Sequence, residues 1–486
     1  MSQQSRREFL ENSMFAAAAA AAAGPLTTAA RAQEKQSSSP NERLRIAVVG
    51  VKGRGQSHLS EFMNRQDCEV AAIVDVDETV GQKMGVERVE KTTKKKPAFF
   101  KDLRKALEDK NIDAVSIATP NHWHALGAIW SIQAGKDVYC EKPVSHNVSE
   151  GRRIVQAARK HGKIVQTGTQ MRAERGVQEA MKFLHDGKLG KVMIARGLCY
   201  KPRGSIGAKG TYDVPAGVDY DLWTGPAPML PLTRKNLHYD WHWQWEYGNG
   251  DLGNQGIHQM DVARWGLGVN DLGKSVVSYG GRLGYEDAGE TANTQVSIHE
   301  FDDNKRLVFE VRGLKTDGLR GAKIGIIFYA TEGTLVIGSY DAGVAFDRDG
   351  NQIAKFTGSG DHFGNFVQAV RSRKQEDLFA DIEQGHLSSA LCHLGNVSYR
   401  LGEQTNAKSA EQKLNGDKEA LATFGRVASH LQDNGVDLET AHLYFGKPLK
   451  LDGKAEMFVG DDVSQANAML TRDYRAPFVV PDEKNV

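Results

Sequence analysis

The sequence predicts an α/β protein in two parts, a doubly wound parallel sheet followed by a second α/β domain with strands of a half-covered sheet. Three observations carry this. Between Arg43 and Thr167, β-rich runs alternate with helical stretches at the pace of βαβ units. The first run ends in a glycine turn that opens a helix. From Val192 onward the alternation gives way to β-branched runs, several with period-2 patterning.

Size and charge bound the rest. A chain of 486 residues, 40% hydrophobic and 25% charged, exceeds one ordinary core and has a soluble globular composition. With 62 basic against 61 acidic residues and no long basic stripe, neither nucleic acid nor an anionic membrane surface is an expected partner. Four scattered cysteines without a C-x-x-C read as small buried hydrophobes.

Residues 1–32 read as a leader: Ser5-Arg6-Arg7-Glu8-Phe9-Leu10, an apolar stretch from Met14 to Ala23, and Ala30-Arg31-Ala32 before Gln33. This resembles a twin-arginine export signal, which implies that export machinery as a partner and a periplasmic location. The apolar run falls short of the ~20 residues that cross a bilayer, and no later segment reads as a span. Residues 33–42 read as a flexible lead-in.

In the first domain, expected over 43–167, Arg43 to Val49 forms a strand, and Gly50-Val51-Lys52-Gly53-Arg54-Gly55 leads into a helix to about Asn64. Backbone N–H groups at such a helix start face a pyrophosphate. Lys52 stands where the usual motif has its second glycine, so Gly53 is expected to allow the close approach. The next strand, Glu69 to Val74, ends in Asp75, twenty positions after Gly55. A carboxylate there suits the ribose hydroxyls of NAD and repels the extra phosphate of NADP; otherwise it caps the next segment. Asp113 to Ala118 runs into Thr119-Pro120-Asn121-His122-Trp123-His124 and a helix stopped by Gly135. The strand Asp137 to Cys140 delivers Glu141-Lys142-Pro143 to the carboxyl edge of the sheet, where open α/β folds bind ligands. Pro143 biases Lys142 toward extended backbone, so the amine projects from a stiff strand end. A helix capped by Ser149 and closed by Gly162, then a strand from Lys163 to Thr167, complete the domain.

Taken together, the glycine turn, Asp75, Ala118-Thr119-Pro120-Asn121-x-x-His124 and Glu141-Lys142-Pro143 resemble the Gfo/Idh/MocA oxidoreductases. The likeness continues through Gln166-Thr167-Gly168-Thr169-Gln170-x-Arg172 and from Gly253 to Asp261. It implies a Rossmann domain, then a substrate-binding and oligomerisation domain over 168–486 on a large open, mostly antiparallel sheet. A homo-oligomer is also implied. So is NAD, with Gly50, Gly53, Arg54, Gly55, Asp75, Thr119, Pro120, Asn121, His124, Glu141 and Lys142 at the cofactor; the export route, into a compartment with little free dinucleotide, implies that it is tightly held.

Oxidising a secondary alcohol requires a C–H aimed at the nicotinamide and a base at the hydroxyl. Lys142 is the first candidate base, since burial beside a cationic ring favours its neutral form. The second is His258, at the position of the family's substrate-site histidine. Asn254 stands where many relatives have aspartate, which removes a carboxylate that would charge the imidazole. Asn254, His258 and Asp261 fall on one helical face by spacing. Asp251, His258 and Asp261 lack the paired histidines of a zinc motif, so no metal is expected. Trp241 and Trp243 lie in an aromatic-rich stretch that, if extended, offers flat faces to a sugar ring; core packing at a domain seam is the alternative. Arg172 and Arg282 are further substrate candidates. The expected activity is NAD-dependent oxidation of a sugar, polyol or glycoside. Hydrolysis through transient oxidation, or sugar binding without catalysis, are the rivals.

Overall fold

A computed structural model describes residues 43–486; the leader and lead-in read over 1–42 lie outside the described residues. The first half runs β1 (Leu44–Val49), α1 (Gly55–Met63), β2 (Cys68–Val74), β3 (Ala98–Phe100), β4 (Ala114–Ile117), α2 (Asn121–Gln133), β5 (Asp137–Cys140), α3 (Val148–Lys160) and β6 (Val165–Thr167). Its six strands lie in the order β3-β2-β1-β4-β5-β6, every neighbouring pair parallel. Strand order reverses between β1 and β4, and that switch point opens the crevice beyond their carboxyl ends. Every residue of β4 and β5 is buried, as helices on both faces of a parallel sheet demand.

The cap of α3 differs from the expected Ser149. Asn147, extended at φ −142°, accepts the N–H of Glu150 on its side chain, so the helix starts earlier. An amide oxygen on extended backbone satisfies a first-turn donor, and a serine already within the turn is not needed for it.

The second half contains α4 (Arg175–His185), β7 (Val192–Tyr200), α5 (Gly256–Leu267), β8 (Ser275–Gly281), β9 (Thr294–Glu300), β10 (Arg306–Arg312), β11 (Ile324–Ala330), β12 (Gly333–Ile337), β13 (Ala342–Asp347) and β14 (Gln352–Thr357). After them come α6 (His362–Ser372), α7 (Ile382–Arg400), β15 (Glu403–Thr405), α8 (Lys418–Asp433), β16 (Leu443–Phe445), β17 (Leu449–Asp452) and β18 (Met457–Val459). These strands form one sheet of twelve, running β14-β13-β12-β11-β7-β10-β9-β8-β16-β15, with β17 and β18 joined at β8. Only the β7–β10 pair is parallel. The sheet is therefore open and mostly antiparallel. One face packs on α5 and α7 through Ile257, Met260, Leu391 and Leu394, and α8 lays Phe424, Val427 and Leu431 on the other.

Two segments return to the first half. Helix α6 stacks Phe363 on Tyr139 of β5, ring centroids 4.5 Å apart. From Asp417 the chain, expected to wrap the second domain, packs on the second half through α8, β16–β18, Ala466 and Leu470, and only the tail after them returns. Beyond them Phe478 and Val480 are buried in the first half's core, Phe478 edge-on to Trp123 at 5.6 Å. Two aromatic rings of α2 otherwise facing water explain why the chain returns there.

Candidate active site

The switch-point crevice encloses a cavity of about 350 Å³ reaching from the glycine turn to the loops of the second half. At its floor Gly50 has φ +78°, and a Cβ there would lie 2.9 Å from the Ala118 carbonyl. A Cβ on Gly55 would fall 1.9 Å from the Gly50 carbonyl, so this glycine lets α1 start against the turn. Gly53 borders the cavity, and a Cβ there would meet nothing within 4 Å. The first N–H groups of α1 have no intrahelical acceptors. An open cradle over a helix N-terminus thus fits a pyrophosphate. Asp75 borders the same end. Its carboxylate accepts the N–H of Val51 at 2.9 Å and of Asp77 at 3.0 Å, and burial pushes its pKa up to about 6. A carboxylate has about four lone-pair sites, so two remain for hydroxyl donors.

Glu141 anchors the middle. Its buried carboxylate accepts Arg54 Nε at 2.7 Å and lies 3.1 Å from His58 Nε2. Burial alone would raise its pKa; Arg54 and His58 hold it well below the ordinary carboxylate range. Gly168 faces it, where a Cβ would come 2.8 Å from the carboxylate. His124 bridges two loops, with Nδ1 2.5 Å from the Pro143 carbonyl and Nε2 2.8 Å from that of Thr119. Asn121 donates to Asn249 Oδ1 at 3.0 Å, fastening α2 to the second half. Pro120 immediately precedes α2, and the Thr119 hydroxyl is buried without a partner.

Lys142 reaches across the crevice from the end of β5 and donates from Nζ to the Asn254 carbonyl at 3.0 Å. Burial depresses its pKa against the opposing pull of Glu141, and Arg54 and Lys201 depress it further. Asn254 therefore presents its backbone, not its amide, to Lys142. It lies in the turn before α5, which explains why the spacing of Asn254, His258 and Asp261 does not give one shared face. His258, on α5, is buried with Nδ1 unpartnered and its ring 5.3 Å from that of Tyr340. Burial, then the charge of Lys142, keeps its imidazole neutral. Asp261 points elsewhere: its carboxylate takes Arg172 at 2.7 and 2.9 Å and Ser388 at 2.7 Å, a buried pair inside the second half. Arg282 pairs with Asp287 through two bonds of 2.6 Å.

The aromatic stretch is not extended. Asp240–Trp243 forms a 3-10 turn, which breaks the two-sided alternation. Trp241 borders the crevice with His242 stacked on it at 3.6 Å, while Trp243 is buried beneath the Arg203 guanidinium at 5.0 Å. The sequence reading missed Lys201, Arg203, His242 and Gln255, all lining this end. Lys201 and Arg203 immediately follow the carboxyl end of β7, the signal that could have flagged them. Among the described residues no group of three or more His, Cys, Asp or Glu side chains is placed to hold a metal, and no helix is long and apolar enough to cross a membrane.

A glycine turn at the switch point of a parallel sheet, faced across the crevice by a strand-end lysine, defines a dinucleotide-binding oxidoreductase architecture. The chain belongs to the Gfo/Idh/MocA oxidoreductase family: the family's NAD-binding Rossmann fold matches residues 44–169, and its C-terminal alpha/beta domain matches 204–430. The chain is 29% identical to the myo-inositol 2-dehydrogenase of Thermotoga maritima over 157 residues, covering 32% of this chain and 44% of that protein. It thus spans less than half of that relative. Identity to the 2,7-anhydro-N-acetylneuraminate hydratase of Mediterraneibacter gnavus is 24% over 314 residues, 63% of this chain and 70% of that one. The structure of the WlbA dehydrogenase from Bordetella pertussis, in complex with NADH and UDP-GlcNAcA, shares the fold. Its TM-score is 0.54 at 20% identity, covering 72% of this chain and 94% of that one.

Proposed function

We propose that this protein oxidises a secondary alcohol of a sugar, polyol or glycoside with NAD, and that Lys142 accepts the hydroxyl proton. The observation that carries this is the position of the Lys142 amine, which lines the same cavity as the glycine turn, Trp241 and His242. Gly50, Gly53, Gly55 and Asp75 hold the nucleotide in this reading, which supplies the hydride acceptor. With one N–H directed at the Asn254 carbonyl, the neutral amine keeps its lone pair for the substrate hydroxyl. His258, buried on α5 with Nδ1 unpartnered and within electrostatic reach of Lys142, offers a ring nitrogen as a second hydrogen-bonding group. The Trp241–His242 stack gives the sugar a flat face. The test is to release any bound nucleotide by denaturation, identify it by mass, and follow absorbance of the reduced cofactor across a panel of sugars and polyols.

The hydratase relative favours a second reading, in which oxidation is transient and elimination follows. Consumption of substrate with no net NADH supports it; stoichiometric NADH excludes it. The exported, periplasmic location belongs to the proposal through the leader sequence, and cell fractionation tests it.

A further inference from the structure

We infer that the substrate carries a negatively charged group, carboxylate or phosphate, and that Lys201 holds it. The inference rests on the reading above and names the substrate class of that same site. Lys142 Nζ donates to the Asn254 carbonyl at 3.0 Å, and Lys201 Nζ donates to Oε1 of the next residue, Gln255, at 3.2 Å. Two side-chain amines from different domains therefore converge on consecutive residues of one turn. Gln255 is itself fixed, donating from Nε2 to the Tyr340 hydroxyl at 2.8 Å.

The carboxylates nearby are engaged. Glu141 holds Arg54 and His58, Asp251 takes a two-pronged bond from Arg203 at 2.8 and 2.7 Å, and Asp75 accepts backbone N–H groups at the nucleotide end. Among the described residues no carboxylate lies within ion-pair distance of Lys142 or Lys201. In the proposed reaction Lys142 works as a neutral amine, which leaves Lys201 as the uncompensated cation at the substrate end. Lys201 is half-buried, so an anion there is partly shielded from water, where a charge-assisted hydrogen bond gains strength. A neutral sugar would leave that cation without a counter-charge.

Calorimetric titration of the intact protein, with NAD present, against glucuronate, glucose 6-phosphate and glucose tests this. At least one acid should bind tenfold or more tightly than glucose, and the identity of that acid separates carboxylate from phosphate. Lys201→Met should reduce its affinity to that of glucose, and Lys201→Arg should restore most of it. Equal affinity for all three probes, absence of measurable binding by both acids, or a preference that survives Lys201→Met overturns the inference. Absorbance of the reduced cofactor in the same samples keeps the two readings apart. An acid bound without NADH counts against the oxidoreductase reading and leaves the anion subsite standing; glucose oxidised as efficiently as the acids does the reverse.

Discussion

At the scale of single residues, two titrating groups set the expected pH behaviour. Lys142 works as a base only when neutral, and burial brings its pKa below the ordinary 10.5. The value of kcat/KM should therefore rise with pH and level off below that point, and the limb should vanish in Lys142→Arg. Lys142→Ala should lower kcat/KM by about 10²–10⁴-fold, the usual worth of a general base, while bound-nucleotide content stays constant. Asp75, with a pKa of about 6, is ionised above that pH and protonated below it. A neutral carboxyl is a weaker acceptor for ribose hydroxyls, so Kd for NAD should rise as pH falls through about 6, and Asp75→Asn should flatten the dependence. Both residues were legible in the sequence because each ends a strand next to a recognisable turn. Lys201 was not: it also follows a strand end, but no turn motif accompanies it, and its partner in the site, Gln255, is 54 positions away. Arg172 and Asp261 mislead for a related reason: each stands in a motif, yet the two, 89 positions apart, are folded together so that they neutralise one another.

Among the elements, the glycine turn and α5 give opposed expectations. Gly55→Ala places a methyl group against the Gly50 carbonyl, so the turn must shift, and both thermal stability and nucleotide content should fall. Gly53→Ala meets open space, so melting should hardly move while Kd for NAD increases, because the methyl enters the cradle. Breaking the buried Arg172–Asp261 pair with Arg172→Ala should cost about 3–5 kcal/mol in chemical denaturation, since it strands a buried carboxylate. The parallel order of the first sheet was readable from βαβ pacing, as each strand is bounded by its own turn signals. The 3-10 turn at Asp240–Trp243 was not, because alternation of large and polar residues describes a strand equally well. Only the contacts of Trp243 with Arg203 and of Trp241 with His242 decide it.

For the molecule as a whole, the binding crevice is framed by segments distant in sequence. Asn121 is fastened to Asn249, Lys142 to Asn254, and α6 and the tail are packed on the first half. Phe478→Ala removes a buried ring that contacts Trp123 and lies 5.2 Å from the Arg104 guanidinium. It should destabilise the protein by about 3–5 kcal/mol in denaturant unfolding, the range of buried Phe→Ala changes. The tail carries no periodic pattern of its own, so its docking could not be read from local sequence. Its apolar residues find their partners on α2, more than 300 positions earlier. Because Phe478 and Val480 complete the surface around Trp123, the nucleotide-binding half of a nascent chain lacks part of its interior until the ribosome has passed Val480. Stalled chains ending before Phe478 should stay open to protease in that half, and gain protection once the last segment emerges.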